Sequence, residues 1–268
     1  MDIYTQKLNL RHSLARFAAL QAGKILRSYY YSGFDVRFKG TVDPVTDADT
    51  ESEKLVTDLI SRAFPNDIVV AEELHSAASS AEHFWLIDPL DGTVNYSHKV
   101  PWFAVSIAYV SRDEPLIGVV YNPATGQMFS AVKGQGAFCN GERIAVSSTT
   151  ELKRALVATG FPYNRVETRT NFAEQERMLC ASQDVRRMGS ASLDICLVAQ
   201  GRFDAYYEFG LGPWDYAAGW VIALEAGAIC SKPDGTPAVV GGNSFMCAAP
   251  GIANSIVSVI TGGTEGQR

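Results

Sequence analysis

The sequence predicts a mixed α/β fold, with an α+β first half and an α/β second half. Between residues 102 and 138, strand-like runs are separated by short turns, which favours antiparallel hairpins. After residue 150, strand-like and helical runs alternate, which favours a more parallel, layered arrangement. A chain of 268 residues is long enough for one large domain or two fused units. We therefore expect an N-terminal α+β subdomain at residues 1–147 and a C-terminal α/β subdomain at residues 148–268.

The hydrophobic pattern predicts each element in turn. Apolar residues at helical spacing predict a first helix from Ile3 to about Tyr31. Residues 34–46 are expected to form a loop or a short strand. A second helix is predicted from about Ala48 to Phe64, with Asp47 or Asp49 as its cap. Strands are predicted next at residues 68–71, 84–87, 104–110, 116–121 and 127–132. In the second half, strands are predicted at residues 155–159, 185–188 and 204–207, and helices at residues 168–180, 192–200 and 214–225.

The composition is that of an ordinary globular protein. Hydrophobic residues make up 47% and charged residues 19%, which excludes a disordered or collagen-like chain. Lys and Arg number 23 against 29 Asp and Glu, a net charge of −6, so no direct nucleic-acid partner is expected. No apolar run reaches the roughly 18 residues that span a bilayer, and no secretory signal is present, so no membrane partner is expected. Five scattered cysteines without a C-x-x-C pair argue against a disulfide framework and a zinc cage, and favour a reducing cytoplasm.

Acidic residues stand in four groups that suggest a shared site. The groups are the run from Asp43 to Glu53 with five acids, the pair Glu72-Glu73 after an apolar strand, the pair Asp88 and Asp91 after another apolar strand, and Asp215 before an apolar helix. Taken singly, each group is more often a turn, a helix cap or a solvated strand end. Their combination in one chain is what favours a metal site.

The turn Asp88-Pro-Leu-Asp-Gly-Thr93 carries the most information. Two carboxylates that an apolar strand delivers into a turn need a partner, and no arginine cluster lies nearby in the sequence. Mg²⁺ prefers carboxylate and carbonyl oxygens, so Asp88, Asp91 and the Leu90 carbonyl are candidate ligands. Gly92 and Thr93 then open a short helix, whose free N–H groups can hold a phosphate.

These motifs together resemble the inositol monophosphatase family of Mg²⁺-dependent, Li⁺-sensitive phosphatases, over nearly the whole chain. The matching segments are Asp43-Pro-Val-Thr-Asp-Ala-Asp49 with Glu51, Ala71-Glu72-Glu73, Asp88-Pro-Leu-Asp-Gly-Thr-Val-Asn95-Tyr96, Gly189-Ser-Ala-Ser192 and Trp214-Asp-Tyr-Ala-Ala-Gly219. Where the family usually has Gly-Glu-Glu-Ser, this chain has Ala71-Glu-Glu-Leu74, which keeps the expected ligand. The resemblance implies a layered α-β-α-β-α sandwich of the sugar-phosphatase type.

The resemblance also implies a set of metal ligands. Glu72, Asp88 and the Leu90 carbonyl would hold one Mg²⁺, and Asp88, Asp91 and Asp215 would hold a second. A weaker third ion would bind to Glu72 and water, and Mn²⁺ is an alternative cation. Most ligands would thus lie in the first subdomain, with Asp215 in the second.

Catalytic and substrate roles are implied in the same way. Thr93, paired with Asp49, would orient the attacking water and help to deprotonate it. The backbone N–H groups of Gly92 and Thr93 would bind the phosphate. The rest of the substrate would bind to Asp91, Gly189, Ser190, Ala191 and Glu208.

The expected reaction is hydrolysis of a phosphate monoester by direct attack of metal-activated water, without a phosphoenzyme. The leading hypothesis is a myo-inositol-1-phosphate phosphatase with broad tolerance for polyol phosphates. Fructose-1,6-bisphosphatase or histidinol-phosphatase activity on the same scaffold is an alternative. A third hypothesis is an additional regulatory binding role in transcription, which some bacterial relatives have. Relatives are commonly dimers, so a homodimer is expected.

Overall fold

Helices and sheets alternate in five layers, in the order α-β-α-β-α. The computed structural model describes residues 3–33, 35–38, 44–73, 82–162 and 172–263. Three apolar cores separate the layers. This architecture confirms the predicted fold class.

The first sheet is formed by strands of the first half. Its strands are β3 (Ile68–Ala71), β4 (His83–Asp91), β5 (Ala104–Ser111), β6 (Glu114–Asn122), β7 (Gln127–Val132), β8 (Ala137–Cys139) and β9 (Glu142–Arg143). They lie side by side in sequence order, and only the β3–β4 pair is parallel among the described strands of this sheet. The predicted hairpins are therefore confirmed. The segment expected to be a loop or a short strand forms a separate antiparallel pair, β1 (Val36–Phe38) and β2 (Pro44–Thr46).

Helices α1 (Ile3–Ser32) and α2 (Asp47–Ala63) cover one face of the first sheet. The alternation of side chains along β4 explains how the sheet buries both faces. Trp85 and Ile87 belong to the core beneath α1 and α2, whereas Phe84 and Leu86 belong to the core on the opposite face. The strand is consequently an almost uninterrupted apolar run up to Asp88.

The cap of α2 differs from the prediction of Asp47 or Asp49. The cap residue is Thr46, with extended backbone angles of φ −122° and ψ 167°. Asp49 lies in the first turn, and its carboxylate accepts hydrogen bonds from the Thr46 N–H at 2.8 Å and from the Thr46 hydroxyl at 2.6 Å. An acidic residue in the first turn reaches back to the cap here, rather than acting as the cap itself.

The central and the outer helical layers come from the second half of the chain. Helices α5 (Ala191–Ala199) and α6 (Pro213–Glu225) lie between the two sheets, and α4 (Phe172–Ala181) and α7 (Ala253–Ile260) cover the far face of the second sheet. A short helix, α3 (Thr93–Ser97), follows β4 directly. The predicted start of α4 at Thr168 lies outside the described residues.

The second sheet is mixed: the strands predicted from the sequence form its parallel part, as expected, and two further strands add an antiparallel part. Its strands are β10 (Leu156–Thr159), β11 (Asp184–Arg186), β12 (Ala205–Phe209), β13 (Ile229–Ser231) and β14 (Ser244–Ala248), in the spatial order β11-β10-β12-β14-β13. The three predicted strands are parallel to one another, whereas β14 pairs antiparallel with both β12 and β13. The last two strands were not predicted, and they add the antiparallel part.

No helix in the described part of the chain combines the length and the apolar character needed to cross a bilayer.

Candidate active site

A bulge at the end of β4 brings two carboxylates to one pocket. Asp88 pairs with Ser106 of β5 and Asp91 with Ala104, so the register shifts between the two aspartates. The Leu90 N–H donates a hydrogen bond of 2.9 Å to Asp88 Oδ1, which stabilises the turn. Because the bulge interrupts the strict alternation of sides, Asp88 and Asp91 both line the same cavity. Their exposed fractions are only 2% and 8%.

The cavity has a volume of about 190 Å³ and lies where the two sheets meet the central helices. Its acidic lining residues are Glu72, Asp88, Asp91, Glu208 and Asp215. The described residues that line it include no Lys or Arg. Five carboxyl groups from four separate parts of the chain therefore share one pocket, and none of these lining residues carries a basic side chain.

Among these carboxyl groups, burial raises the pKa values of Asp88, Asp91 and Asp215. For Asp88, burial raises the pKa well above its usual range, and the charges of Glu72, Asp91 and Asp215 raise it further. For Asp215, burial again acts first, followed by the charges of Glu72 and Asp91. Burial also raises the pKa of Asp91, although hydrogen bonds from its neighbours oppose this shift. A cation in the pocket would relieve the excess negative charge.

The donor set fits a hard divalent cation. Carboxylate oxygens predominate, with the Leu90 carbonyl beside them, which is the ligand chemistry of Mg²⁺ or Mn²⁺ rather than of zinc. Within the described ranges, no three His, Cys, Asp or Glu side chains form a ready coordination group. Asp215 Oδ2 accepts a hydrogen bond of 2.7 Å from the Gly212 N–H.

The Thr93 hydroxyl lies between the turn and a second buried carboxylate. It donates to the Leu90 carbonyl at 2.9 Å and lies 3.4 Å from Asp49 Oδ1. The other oxygen of Asp49 is held by Thr46, so the Asp49 carboxyl group has a fixed orientation. Burial raises the pKa of Asp49 to about 6. The structure thus brings Asp49, Thr93 and Leu90 together.

The start of α3 requires glycine. Gly92 is the cap residue and has φ +93°, and a Cβ placed on it would lie 2.9 Å from the Trp102 carbonyl oxygen. Gly92 and Thr93 both line the cavity, so the open end of α3 faces the carboxylates.

The turn at residues 189–191 adjoins the same cavity and holds Asp91. Asp91 accepts hydrogen bonds from the Ser190 hydroxyl at 2.6 Å, the Ser192 N–H at 2.8 Å and the Ala191 N–H at 3.2 Å, and also from the Ser192 hydroxyl. The Asn95 amide donates to the Met188 carbonyl at 2.8 Å. The predicted residues Gly189, Ser190 and Ala191 therefore lie beside the metal-site candidates.

Glu208, near the end of β12, also reaches the cavity. Its Oε2 accepts the Tyr206 hydroxyl at 2.6 Å, and burial raises its pKa to about 7. Glu208 is therefore a pocket carboxylate and not an exposed acid at a strand end. A smaller adjoining cavity of about 70 Å³ shares Glu208, Asp91, Gly92 and Asp215 with the larger one.

Some residues of the site were not singled out from the sequence. Ser52 donates to the Pro89 carbonyl at 3.0 Å and so braces the turn. Asp194 is buried and accepts the Trp102 indole N–H at 3.2 Å beneath the 189–191 turn. Arg187 lines the smaller cavity. Ser192 lay within a matched motif, but its hydrogen bonds to Asp91 cannot be recognised from spacing because 101 positions separate the two residues.

The layered fold and a buried acidic pocket beside a helix end define a phosphatase, an enzyme that hydrolyses phosphate esters. The chain belongs to the inositol monophosphatase family, whose profile, described as "Inositol monophosphatase family", matches residues 10–261.

Individual proteins support this assignment. The chain is 41% identical over 230 residues to inositol monophosphatase 2 of Solanum lycopersicum, covering 82% of this chain and 86% of that protein. It is 35% identical over 257 residues to the Nus factor SuhB of Pasteurella multocida, covering 94% and 96% of the two chains. Among solved structures, the inositol monophosphatase from Anabaena (Nostoc) sp. PCC 7120 superposes with a TM-score of 0.88 at 37% identity, covering 96% and 97%.

Proposed function

We propose that this phosphatase hydrolyses myo-inositol 1-phosphate in a Mg²⁺-dependent reaction and tolerates other polyol phosphates. The observation that carries the proposal is the bulge of β4, which places the buried carboxylates of Asp88 and Asp91 in one pocket with Glu72 and Asp215. Membership of the inositol monophosphatase family supports the choice of substrate.

The pocket offers ligands for two to three cations. Glu72, Asp88 and the Leu90 carbonyl would hold one ion, and Asp88, Asp91 and Asp215 a second, while a third would rest on Glu72 and water. When bound, the cations supply an activated water at neutral pH and stabilise the charge on the phosphoryl and leaving-group oxygens.

Asp49 and Thr93 orient the attacking water. The Thr93 hydroxyl donates its proton to the Leu90 carbonyl or to Asp49, so its oxygen lone pairs remain available to accept a hydrogen bond from water. Asp49 is held by Thr46 and can receive the proton through Thr93. The N–H groups of Gly92 and Thr93, at the open end of α3, donate to the phosphate.

The polyol lies against the 189–191 turn and Glu208. The Tyr206 hydroxyl donates a hydrogen bond to Glu208 Oε2, so Glu208 Oε1 can accept hydrogen bonds from substrate hydroxyls. Asp91 is held by four donors from residues 190–192, so the metal turn and the polyol-binding turn keep a fixed relation to each other. This arrangement places the phosphate and the polyol on adjoining parts of one pocket.

Asp88→Asn tests the proposal. The asparagine side chain keeps the oxygen that accepts the Leu90 N–H, but it lacks the charge needed for cation binding. The kcat for inositol 1-phosphate should therefore fall at least about a hundredfold. In the presence of a chelator, the same variant should melt at a higher temperature than the wild type. The reason is that it lacks the buried Asp88 carboxyl group, which the neighbouring carboxylates repel. Asp58→Asn, at an exposed position of α2, is the control. Near wild-type turnover in Asp88→Asn would refute the metal assignment.

A panel of esters separates the substrate hypotheses. We expect kcat/KM for inositol 1-phosphate to exceed that for histidinol phosphate. If kcat/KM for inositol 1-phosphate were far below that for histidinol phosphate or fructose 1,6-bisphosphate, the proposed substrate would be wrong, although the protein would still be a phosphatase.

A regulatory role in transcription is the second candidate, because a relative that is 35% identical is named a Nus factor. Co-purification of transcription proteins with Asp88→Asn, whose turnover should be strongly reduced, would support it. We also propose a cytoplasmic homodimer. All five cysteines lie in described ranges and are free, as a reducing compartment would leave them.

A further inference from the structure

The outer face of α1 carries a stripe of exposed apolar side chains. The inner face of this helix is buried against the first sheet, and the opposite face is open to solvent. Ile3, Leu10 and Phe17 follow one another at intervals of seven residues, and Leu20 lies one turn beyond Phe17. Because seven residues make about two helical turns, the four side chains lie along one line, which we call the α1 stripe. Their exposed fractions are between 41% and 73%.

Basic side chains accompany the stripe, and acidic ones are absent from the helix. The 30 residues of α1 include no Asp or Glu. Arg11 forms an ion pair with Asp67 at 2.9 Å. The other basic residues of the helix are exposed, and within the described residues no ion pair involves them; they are Lys7, Arg16, Lys24 and Arg27. In a chain with a net charge of −6, α1 is thus a local concentration of positive charge.

The positive charge is confined to the width of one helix, which bears on what could cover the stripe. The neighbouring helix of the same layer, α2, exposes the acids Glu51 and Asp58. A flat anionic bilayer would meet both helices, so these acids would oppose it. A second copy of α1 would bring like charges together along the whole stripe. A rod-shaped acidic partner would meet α1 alone, and its charge would complement that of the helix.

We propose that the α1 stripe docks an acidic amphipathic helix of a partner protein. The apolar residues of that helix pack on the stripe, and its carboxylates pair with the basic side chains beside it, as charged residues flank the seam of a coiled coil. Within the described residues, none that lines the acidic pocket belongs to α1, so docking leaves the phosphatase site open. The inference does not depend on which phosphate ester is the substrate.

A designed peptide provides the probe. It comprises three heptads with Leu at the apolar positions and Glu beside them, and a matched peptide has Lys in place of every Glu. Fluorescence anisotropy of the labelled peptides, titrated with the wild-type protein, gives the two Kd values. We expect the acidic peptide to bind at least about tenfold more tightly, with a Kd that rises with salt because exposed charges are screened. No binding of the acidic peptide, or equal Kd values for both, would overturn the inference.

Charge reversal on two helices of the same layer separates the stripe from the net charge. The double substitution Arg16→Glu and Arg27→Glu should raise the Kd of the acidic peptide at least about tenfold. The double substitution Lys54→Glu and Arg62→Glu, at exposed positions of α2, makes the same change in net charge and should raise it less than about threefold. An equal rise in the two variants would contradict a site on α1.

An apolar substitution tests the stripe independently of charge. Phe17→Ser should raise the Kd of the acidic peptide about fivefold or more, because the apolar contact is lost. Leu179→Ser, at an exposed position of α4, is the control and should leave the Kd unchanged. Since all the substituted positions are exposed, the melting temperatures of these variants should change little. An unchanged Kd in Phe17→Ser would refute the role of the stripe.

Two measurements decide between the proposed occupant and the others. Co-sedimentation with vesicles of phosphatidylserine and phosphatidylcholine tests a membrane surface, and sedimentation velocity tests a second copy of the chain. Vesicle binding that disappears in the Arg16→Glu and Arg27→Glu variant, or a smaller oligomer in Phe17→Ser, would overturn the inference in favour of that occupant. No vesicle binding and an unchanged oligomeric state, together with preference for the acidic peptide, support it.

Discussion

At the scale of single residues, Asp88 and Asp91 are held in different ways. Asp91 accepts four hydrogen bonds from residues 190–192, which satisfy much of its capacity and oppose the rise in its pKa. Asp88 accepts one hydrogen bond from within the described residues, donated by the Leu90 N–H, and its charge is repelled by three neighbouring carboxylates. We infer that Asp91 links the metal turn to the substrate turn, whereas Asp88 has more oxygen lone pairs available for cations.

Glu208→Gln separates recognition of the polyol from the reaction at phosphorus. The neutral amide is a weaker acceptor for the hydroxyls of the substrate, so KM for inositol 1-phosphate should rise about tenfold or more. KM for p-nitrophenyl phosphate, which has no polyol, should change less than about threefold. Glu142→Gln, at an exposed position of β9, is the control. Equal increases in KM for both substrates would remove the proposed role in polyol binding.

The same substitution also tests how Glu208 makes the stability of the protein depend on pH. Burial raises the pKa of Glu208 to about 7, from 4.5 as the ordinary value, so the folded protein binds this proton more tightly than the unfolded chain. Its contribution to the free energy of unfolding is fully present below pH 4.5 and is lost as the pH rises through 7. Gln cannot ionise. In the presence of a chelator, the free energy of unfolding of Glu208→Gln, relative to that of the wild type, should therefore be higher at pH 8 than at pH 5. Chemical denaturation at the two pH values measures this difference.

Sequence reasoning located the site residues that belong to short motifs, and missed those defined by long-range contacts. Asp88, Asp91 and Thr93 stand within six positions of one another, so one turn reveals them. Asp194 resembles any acid in a helix, and its burial against Trp102 follows only from packing across the two halves. For Arg187, the decisive feature is the cavity beside it, which no local pattern encodes.

At the scale of elements, the cap of α2 connects helix stability to the site. The Thr46 hydroxyl and N–H both bind Asp49, whose other oxygen faces Thr93. Thr46→Ala removes one of these donors from a fully buried position, so it should cost about 1 kcal/mol of stability and lower the melting temperature by about 2–4 °C.

Two further variants make this prediction specific. Thr46→Ser should restore most of the loss, because it keeps the hydroxyl. Thr50→Ala, at an exposed position within α2, should change the melting temperature little. A loss of stability in Thr50→Ala equal to that in Thr46→Ala would show that the cap hydrogen bond contributes nothing specific.

The elements whose ends sequence analysis predicted best are those with long apolar runs. Strands β5, β6 and β7 span six to nine residues and are bounded by turn residues, so their positions were predicted within two residues. Strands β13 and β14 have three and five residues, and their pairing depends on the sheet they join. The mixed character of the second sheet could not be recognised without them.

At the scale of the whole molecule, the site joins the two halves of the chain. Glu72 directly follows β3, Asp88 and Asp91 lie at the end of β4, and Asp215 comes from α6 between the sheets. Close packing fixes this relation: a Cβ on Gly118 of β6 would lie 2.1 Å from the Ala218 carbonyl oxygen, one turn beyond Asp215. Contacts with the first half therefore position Asp215, the candidate ligand that the second half contributes.

Cation binding should accordingly stabilise the protein as one unit. An ion that binds only the folded state adds about 2.7 kcal/mol at a concentration of 100 times its Kd, which corresponds to a rise of several degrees in melting temperature. In Asp215→Asn the rise produced by the same Mg²⁺ concentration should fall by at least about half, since a ligand from the second half is lost. Asp234→Asn, in an exposed turn of the same half, should keep the wild-type rise. Calorimetry over a series of Mg²⁺ concentrations measures this difference. A full rise in Asp215→Asn would mean that the ions are held by the first half alone and that Asp215 is not a ligand.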